Sequence, residues 1–181
     1  MRINELTGYK KDPLYNILQN TSNASELEKN LESGGFKKYV IGSGLFSSVL
    51  TRPDLNYVVK IFHNDPGYET YLTYIMKYQN NPHVPKMRGK VISVGPNFKV
   101  VRLEKLKPID KFDNLQMRLF DLMRQYLHNN KHNKYMVKLN IPDVLPVLDD
   151  IMSQSNNIDF HDGNVMFRGS VPVITDPLAI I

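Results

Sequence analysis

The sequence predicts an α+β fold in which a small antiparallel sheet comes first and helices follow. From Phe36 to Leu103 the chain runs in short β-rich segments separated by turn residues. Beyond Phe112, apolar residues recur at helical spacing instead. The length of 181 residues bounds the answer, because at ~150 residues per domain it fits one compact unit with little left over. The expected organisation is an N-terminal helical extension over 1–35, a sheet-bearing lobe with one helix over 36–107, and a reduced helical lobe over 108–181.

Asp12-Pro13 reads as the cap and first turn of a short helix reaching Gln19. Ser25 and Glu28 stand at capping-box spacing for a second helix, which Gly34-Gly35 ends. Strands are expected at Lys38–Gly42, Ser47–Thr51 and Tyr57–Phe62, the last two joined by a turn holding Pro53, Asp54 and Asn56. Asp65-Pro66 opens a helix striped by Tyr68, Tyr71, Leu72, Ile75 and Met76, and Asn80-Asn81-Pro82 breaks it. Lys90–Val94 and Phe98–Leu103 flank Gly95-Pro96-Asn97 as a hairpin, giving about five strands in all. Phe112, Leu115, Leu119, Leu122, Met123 and Tyr126 stripe a later helix. Val144, Leu145, Leu148, Ile151 and Met152 stripe another after Pro142. Val165–Phe167 and Val171–Ile174, joined by Arg168-Gly169-Ser170, form a closing hairpin.

Composition narrows the function classes. Apolar residues at 41% and charged residues at 23% are globular values and exclude wholesale disorder. With no cysteine there is no thiol chemistry, and no apolar run approaches the ~18 residues that cross a bilayer. Met1–Lys11 lacks the apolar stretch of a signal peptide, so a soluble cytosolic protein is expected. The 23 basic against 18 acidic residues leave +5, which suits a polyanion such as nucleotide phosphate or simply a solvated surface.

Three stretches carry chemistry. Gly42-Ser43-Gly44-Leu45-Phe46-Ser47-Ser48-Val49 lies between two expected strands, where glycines let backbone amides approach a phosphate. A ligand-free hairpin turn gives the same pattern, and neither a dinucleotide-binding helix nor a Walker Lys-Ser/Thr pair follows. Lys60, in Val58-Val59-Lys60-Ile61, is either a solvent-facing strand residue or an ammonium reaching those phosphates. Glu69 on the next helix is the nearest carboxylate to hold it, or else a surface residue. The third stretch is Asp159-Phe160-His161-Asp162-Gly163-Asn164, with Asp176 twelve residues after the Asn. A carboxylate can orient a hydroxyl, and Asn164 with Asp176 supplies the hard oxygens that Mg²⁺ prefers. His161 has no second His or Cys at zinc spacing, so hydrogen bonding or a phosphate contact is expected of it. The sequence assigns Asp162 no role.

The series Gly42, Gly44, Val49, Lys60, Asp159, Asn164 and Asp176 is similar to the protein kinase plan. Asp159-x-His161-x-Gly163-Asn164 resembles the catalytic loop of aminoglycoside phosphotransferase-like kinases. The stretches Ile41–Ser47, Asp159–Phe167 and Val171–Pro177 resemble the early serine/threonine protein kinases of T-seven-type short-tailed phages, with the likeness running from about Phe36 to the C-terminus.

The resemblance implies a two-lobed kinase-like fold that uses ATP and Mg²⁺ to phosphorylate Ser or Thr of host bacterial proteins, such as RNA polymerase or ribonucleases. The place of action would be the cytoplasm of the infected host, with no membrane and with nucleic acid not the primary partner. By the same analogy Gly42, Ser43, Gly44, Ser47 and Val49 would line the nucleotide, and Lys60, held by Glu69, would pair with its phosphates. Asp159 would be the catalytic carboxylate with His161 beside it, and Asn164 and Asp176 would hold Mg²⁺. Glu104 and Leu106 would flank the hinge whose backbone binds adenine.

The chain departs from that pattern where Pro177, not Phe-Gly, follows Asp176, and where no activation segment or later helices are expected. Two rival readings follow: a catalytically inactive relative that grips a host protein such as RNA polymerase, and a kinase acting on a small molecule.

Overall fold

Short β-rich runs and 3.6-residue stripes along helices produce, as expected, an α+β structure with antiparallel sheets. The computed structural model describes residues 13–19, 21, 23–39, 47–63, 65–94, 98–129, 141–153 and 158–178. Its contacts fall into two units, Met1–Asn64 with Met87–Lys105, and Asp65–Lys86 with Leu106–Ile181. Among the described residues no helix is long and apolar enough to cross a membrane.

The first unit carries helices α1 (Pro13–Gln19) and α2 (Ala24–Ser33) and strands β1 (Lys37–Lys38), β2 (Ser47–Thr51), β3 (Tyr57–His63), β4 (Ile92–Val94) and β5 (Phe98–Glu104). The strands form one antiparallel sheet in the order β1-β2-β3-β5-β4. Helix α2 is capped by Asn23, whose side chain accepts from the Glu26 amide at 2.9 Å, and not by Ser25 as expected. Both residues have a Glu three positions on, so both fit a capping box; the observed one brings in Glu26, whose carboxylate lies 3.5 Å from Asn23 Nδ2. Leu27 and Leu31, four apart on α2, join Leu14 and Leu18 of α1 in a buried cluster with Leu50, Tyr57, Val59, Ile61 and Val100 of the sheet. Each such leucine contributes about 1.5–3 kcal/mol by leaving water. The opposite face of β3 carries Val58, Lys60 and Phe62, all buried.

The second unit carries α3 (Pro66–Lys77), α4 (Asn114–Asn129) and α5 (Leu145–Met152), with strands β6 (Lys107–Pro108), β7 (Val165–Arg168) and β8 (Val171–Ile174). These strands form a small antiparallel sheet in the order β6-β7-β8. Asp65 caps α3 by accepting from the Tyr68 amide, and Pro66 fills its first turn. The expected boundaries group this helix with the large sheet, whereas its contacts group it here. Tyr71 donates its hydroxyl to the Ile174 carbonyl at 2.5 Å, and Lys77 meets Asp150 of α5 at 2.7 Å. The following loop is bonded too, with the His83 carbonyl accepting from the Ile174 amide and Arg168 donating to the carbonyls of Pro82 and Val84. Phe112 was expected on the buried stripe of α4 but lies just before the helix and is 95% exposed. Asp113 caps the helix by accepting from the Leu115 and Gln116 amides, which leaves Phe112 outside it; Leu115 is exposed too, and the buried stripe begins at Leu119.

Candidate active site

Within the second unit, residues 158–178 fold back on themselves and bring four of the expected site residues, Asp159, His161, Asn164 and Asp176, into one segment. The β7–β8 hairpin pairs Val165 with Ile174, and the Thr175 amide donates to the Asn164 carbonyl at 2.9 Å. Asp176 therefore stands one residue beyond the partner of Asn164. Gly169 turns the hairpin with φ +63°, a conformation that side-chain-bearing residues resist. On the other side, the Asp159 amide donates to the Pro177 carbonyl at 2.8 Å, and Ile158 bridges Leu178. Phe160, buried beside the exposed Asp159, stacks on Phe120 of α4 with ring centroids 5.7 Å apart. Burying one side chain while its neighbour faces out is what extended backbone does, and it aims Asp159 outward.

The turn is closed from inside. Asn164 Nδ2 donates to the Asp159 backbone carbonyl at 2.8 Å, which turns its own carbonyl oxygen away from that bond. His161 caps the 3-10 turn Asp162–Asn164 by accepting the Gly163 amide at Nδ1, 3.0 Å away. A side chain at 163 would meet the imidazole at 2.8 Å and push the ring from its place. A neutral imidazole accepts at one nitrogen only, so with Nδ1 occupied the ring proton sits on Nε2. The 3.0 Å approach of Asn164 Nδ2 to Nε2 then sets two donors together and is not a second hydrogen bond. Asp159 Oδ2 lies 3.8 Å from that Nε2.

Asp162, which had no assignment, makes an ion pair with Lys111 at 2.6 Å. That contact holds its carboxyl below the usual carboxylate range. No local pattern marks this pair, because its partners come from segments far apart. Tyr68 and Tyr71 of α3 border Asp176: burial pushes both phenols well above their ordinary value, and the Asp176 charge adds to it. The helical stripe marked these tyrosines as core, and nothing in it marked them as neighbours of a site. Glu69, half-buried on the same helix, also belongs to this unit.

The remaining expected residues lie in the first unit, except Leu106, which belongs to the second. Lys60 is 5% exposed, so the solvent-facing alternative is excluded. Its cross-strand partners are Val49 on β2 and Val101 on β5, and directly opposed residues share a face. Ser47, opposite Phe62, lies on that face as well. A buried ammonium among aliphatic side chains is costly unless it meets acceptors, which makes Lys60 a functional candidate. At the end of β5, the Lys105 amide donates to the Asn56 carbonyl, so the backbone groups of the preceding Glu104 alternate to the other edge. Leu106 is buried. Gly42, Ser43 and Gly44 lie outside the described residues.

Two hard oxygen donors, the Asn164 side-chain carbonyl and the Asp176 carboxylate, suit a Mg²⁺ ion that takes its other ligands from phosphate and water. Among the described residues no group of three or more His, Cys, Asp or Glu gathers at metal-binding distance.

No family model matches the chain, and no curated protein matches it. Among solved structures, the crystal structure of Rad53 1-466 in complex with AMP-PNP aligns with 85% of this chain at 16% identity and a TM-score of 0.42. This chain covers 42% of that one. At that level of similarity, the functional case rests on the residues and their geometry.

Proposed function

We propose that the chain is a reduced, protein kinase-like phosphotransferase that moves the γ-phosphate of ATP to a Ser or Thr hydroxyl. The observation that carries this reading is the closed turn in which Asn164 bonds the Asp159 carbonyl, with Asp176 one residue beyond the hairpin partner of Asn164. Asp159, exposed and held by its own amide, would orient the acceptor hydroxyl and take up its proton. His161, its Nε2 proton near that carboxylate, would help hold Asp159 in direction. Asn164 and Asp176 would hold Mg²⁺, which when bound supplies charge neutralisation to the phosphates. Lys60 would add a fixed positive charge at the phosphates, and the backbone around Glu104 and Leu106 would take the adenine edge.

The likeness to phage early kinases extends the proposal to acceptors among host bacterial proteins, including the transcription and RNA-processing machinery. The test is transfer of labelled γ-phosphate from ATP to proteins of a bacterial extract by wild type and by Asp159→Ala. Labelled bands with wild type alone support the reading; equal labelling by both defeats it. Pro177, directly after Asp176, favours a second reading in which the chain grips a host protein without catalysis. A co-purified partner unaffected by Asp159→Ala would favour that binder.

A further inference from the structure

Three large apolar side chains are exposed among the described residues, Met76, Phe112 and Leu115, and two of them adjoin the turn before α4. Phe112 is 95% exposed and Leu115 51% exposed. The turn has its own polar groups engaged: Asp110 accepts from the Phe112 amide at 2.9 Å, and Gln116 accepts from the Asp110 amide at 2.9 Å. Asp113 is engaged by the Leu115 and Gln116 amides, as described above. What the turn offers outward is thus an aromatic ring fixed on a braced backbone. Lys111, next to Phe112, ties this turn to Asp162 of the catalytic loop at 2.6 Å. A lysine that reaches an aspartate holds the two backbones within roughly 10 Å, about three residues of extended chain at ~3.4 Å each. Asp162 is itself three residues from Asp159.

We propose that Phe112, supported by Leu115, is the acceptor-recognition contact of the phosphotransferase. It would take an apolar side chain of the protein acceptor a few residues from the hydroxyl that Asp159 orients. Lys111 and Asp162 are positioning residues that fix the turn against the loop. The occupant follows from continuity: the patch is joined to the catalytic loop by that ion pair, and a segment whose hydroxyl reaches Asp159 passes within reach of the ring. An apolar residue on that segment would bury apolar surface of Phe112. This inference rests on the phosphotransferase reading.

The test uses the full chain with Mg-ATP and a peptide library carrying a central Ser or Thr and varied flanking residues. Wild type is compared with Phe112→Ser, Lys111→Glu and, as a control on exposed apolar residues generally, Met76→Ser. Wild type is expected to select an apolar residue at one fixed flanking position. Phe112→Ser should lose that selection and raise KM about tenfold, with the effect concentrated in KM. Lys111→Glu should weaken the selection, and Lys111→Glu combined with Asp162→Lys should restore it. Met76→Ser should select as wild type does. Thermal midpoints within a degree or two of wild type would exclude unfolding as the cause. Wild-type transfer with unchanged selection in Phe112→Ser overturns this inference and leaves the phosphotransferase reading standing. Absence of transfer by wild type to every peptide and to protein extract overturns both.

Discussion

The side-chain amide of Asn164 donates to the backbone carbonyl of Asp159 at 2.8 Å, so a residue proposed to hold metal also sets the course of the backbone that presents the proposed base. The two roles separate on substitution. Asn164→Asp keeps a hard oxygen and loses the amide donor, whereas Asn164→Ala loses both. Phosphate transfer is expected to fall about 10²-fold in Asn164→Asp, the cost of a small misplacement of the reacting groups. In Asn164→Ala it should fall further, and half-maximal rate should require more Mg²⁺. Rate measured against Mg²⁺ concentration decides the matter, and a wild-type rate in Asn164→Asp would remove the bond from the account.

Lys60→Met preserves the apolar stem of a side chain buried on the sheet and removes its ammonium. A ligand at 100 times its Kd stabilises the folded state by about 2.7 kcal/mol. Wild type in Mg-ATP at that concentration should gain this much in urea, and Lys60→Met at the same concentration should gain far less. Equal gains would take Lys60 out of the nucleotide site.

Stability is expected to depend on pH through His83. Its ring is buried, with Nδ1 2.8 Å from the Pro172 carbonyl, to which it donates. Burial lowers its pKa below the ordinary 6.5, partly offset by that carbonyl. The folded state therefore resists protonation more than the unfolded chain does. The stabilising contribution is full above pH 6.5 and is lost as pH falls below it towards the folded value. Urea midpoints at pH 7.5 and 5.5 should show a loss at the lower pH that is smaller in His83→Gln; the same loss in both would assign it elsewhere.

Tyr71→Phe removes the donor to the buried Ile174 carbonyl and changes little else. Leaving a buried acceptor short of its partner costs about 1–3 kcal/mol. The expected result is a lower urea midpoint with an unchanged m-value. An unchanged midpoint would mean that the bond contributes nothing to holding α3 on β8.

Much of this structure was legible because local chemistry and tertiary packing agree. Tyr57–His63 and Phe98–Glu104 are short runs rich in β-branched and aromatic residues, buried almost throughout, so both read as strands. That they pair with each other across the intervening α3 needs long-range packing that no local pattern encodes. The two-residue strand β6 exists because Lys107 and Pro108 find an edge on β7. Asn23 won the cap from Ser25 although both offer an oxygen and a Glu three residues on. Phe112 keeps helical spacing with Leu115, but the cap at Asp113 leaves it outside the helix.

The site divides the same way. Asp159 and Asn164 are close in sequence, and their contact follows from a tight turn. The pairing of Lys111 with Asp162 and the approach of Tyr71 to Asp176 join separate segments and have no spacing rule. The burial of Lys60 was likewise hidden, since a lysine set in an apolar strand leaves open whether its own face is covered.

The proposed function asks that Lys60, Asp159, Asn164 and Asp176 each contribute to the binding of magnesium-ATP. An ATP analogue carrying an acyl group on its terminal phosphate transfers that acyl group to a lysine amine within reach, and peptide mass spectrometry identifies the lysine. The account predicts acylation of Lys60 that depends on Mg²⁺, is blocked by excess ATP and is lost in Asp176→Ala. Acylation that spares Lys60, or that proceeds equally in Asp176→Ala, would contradict it.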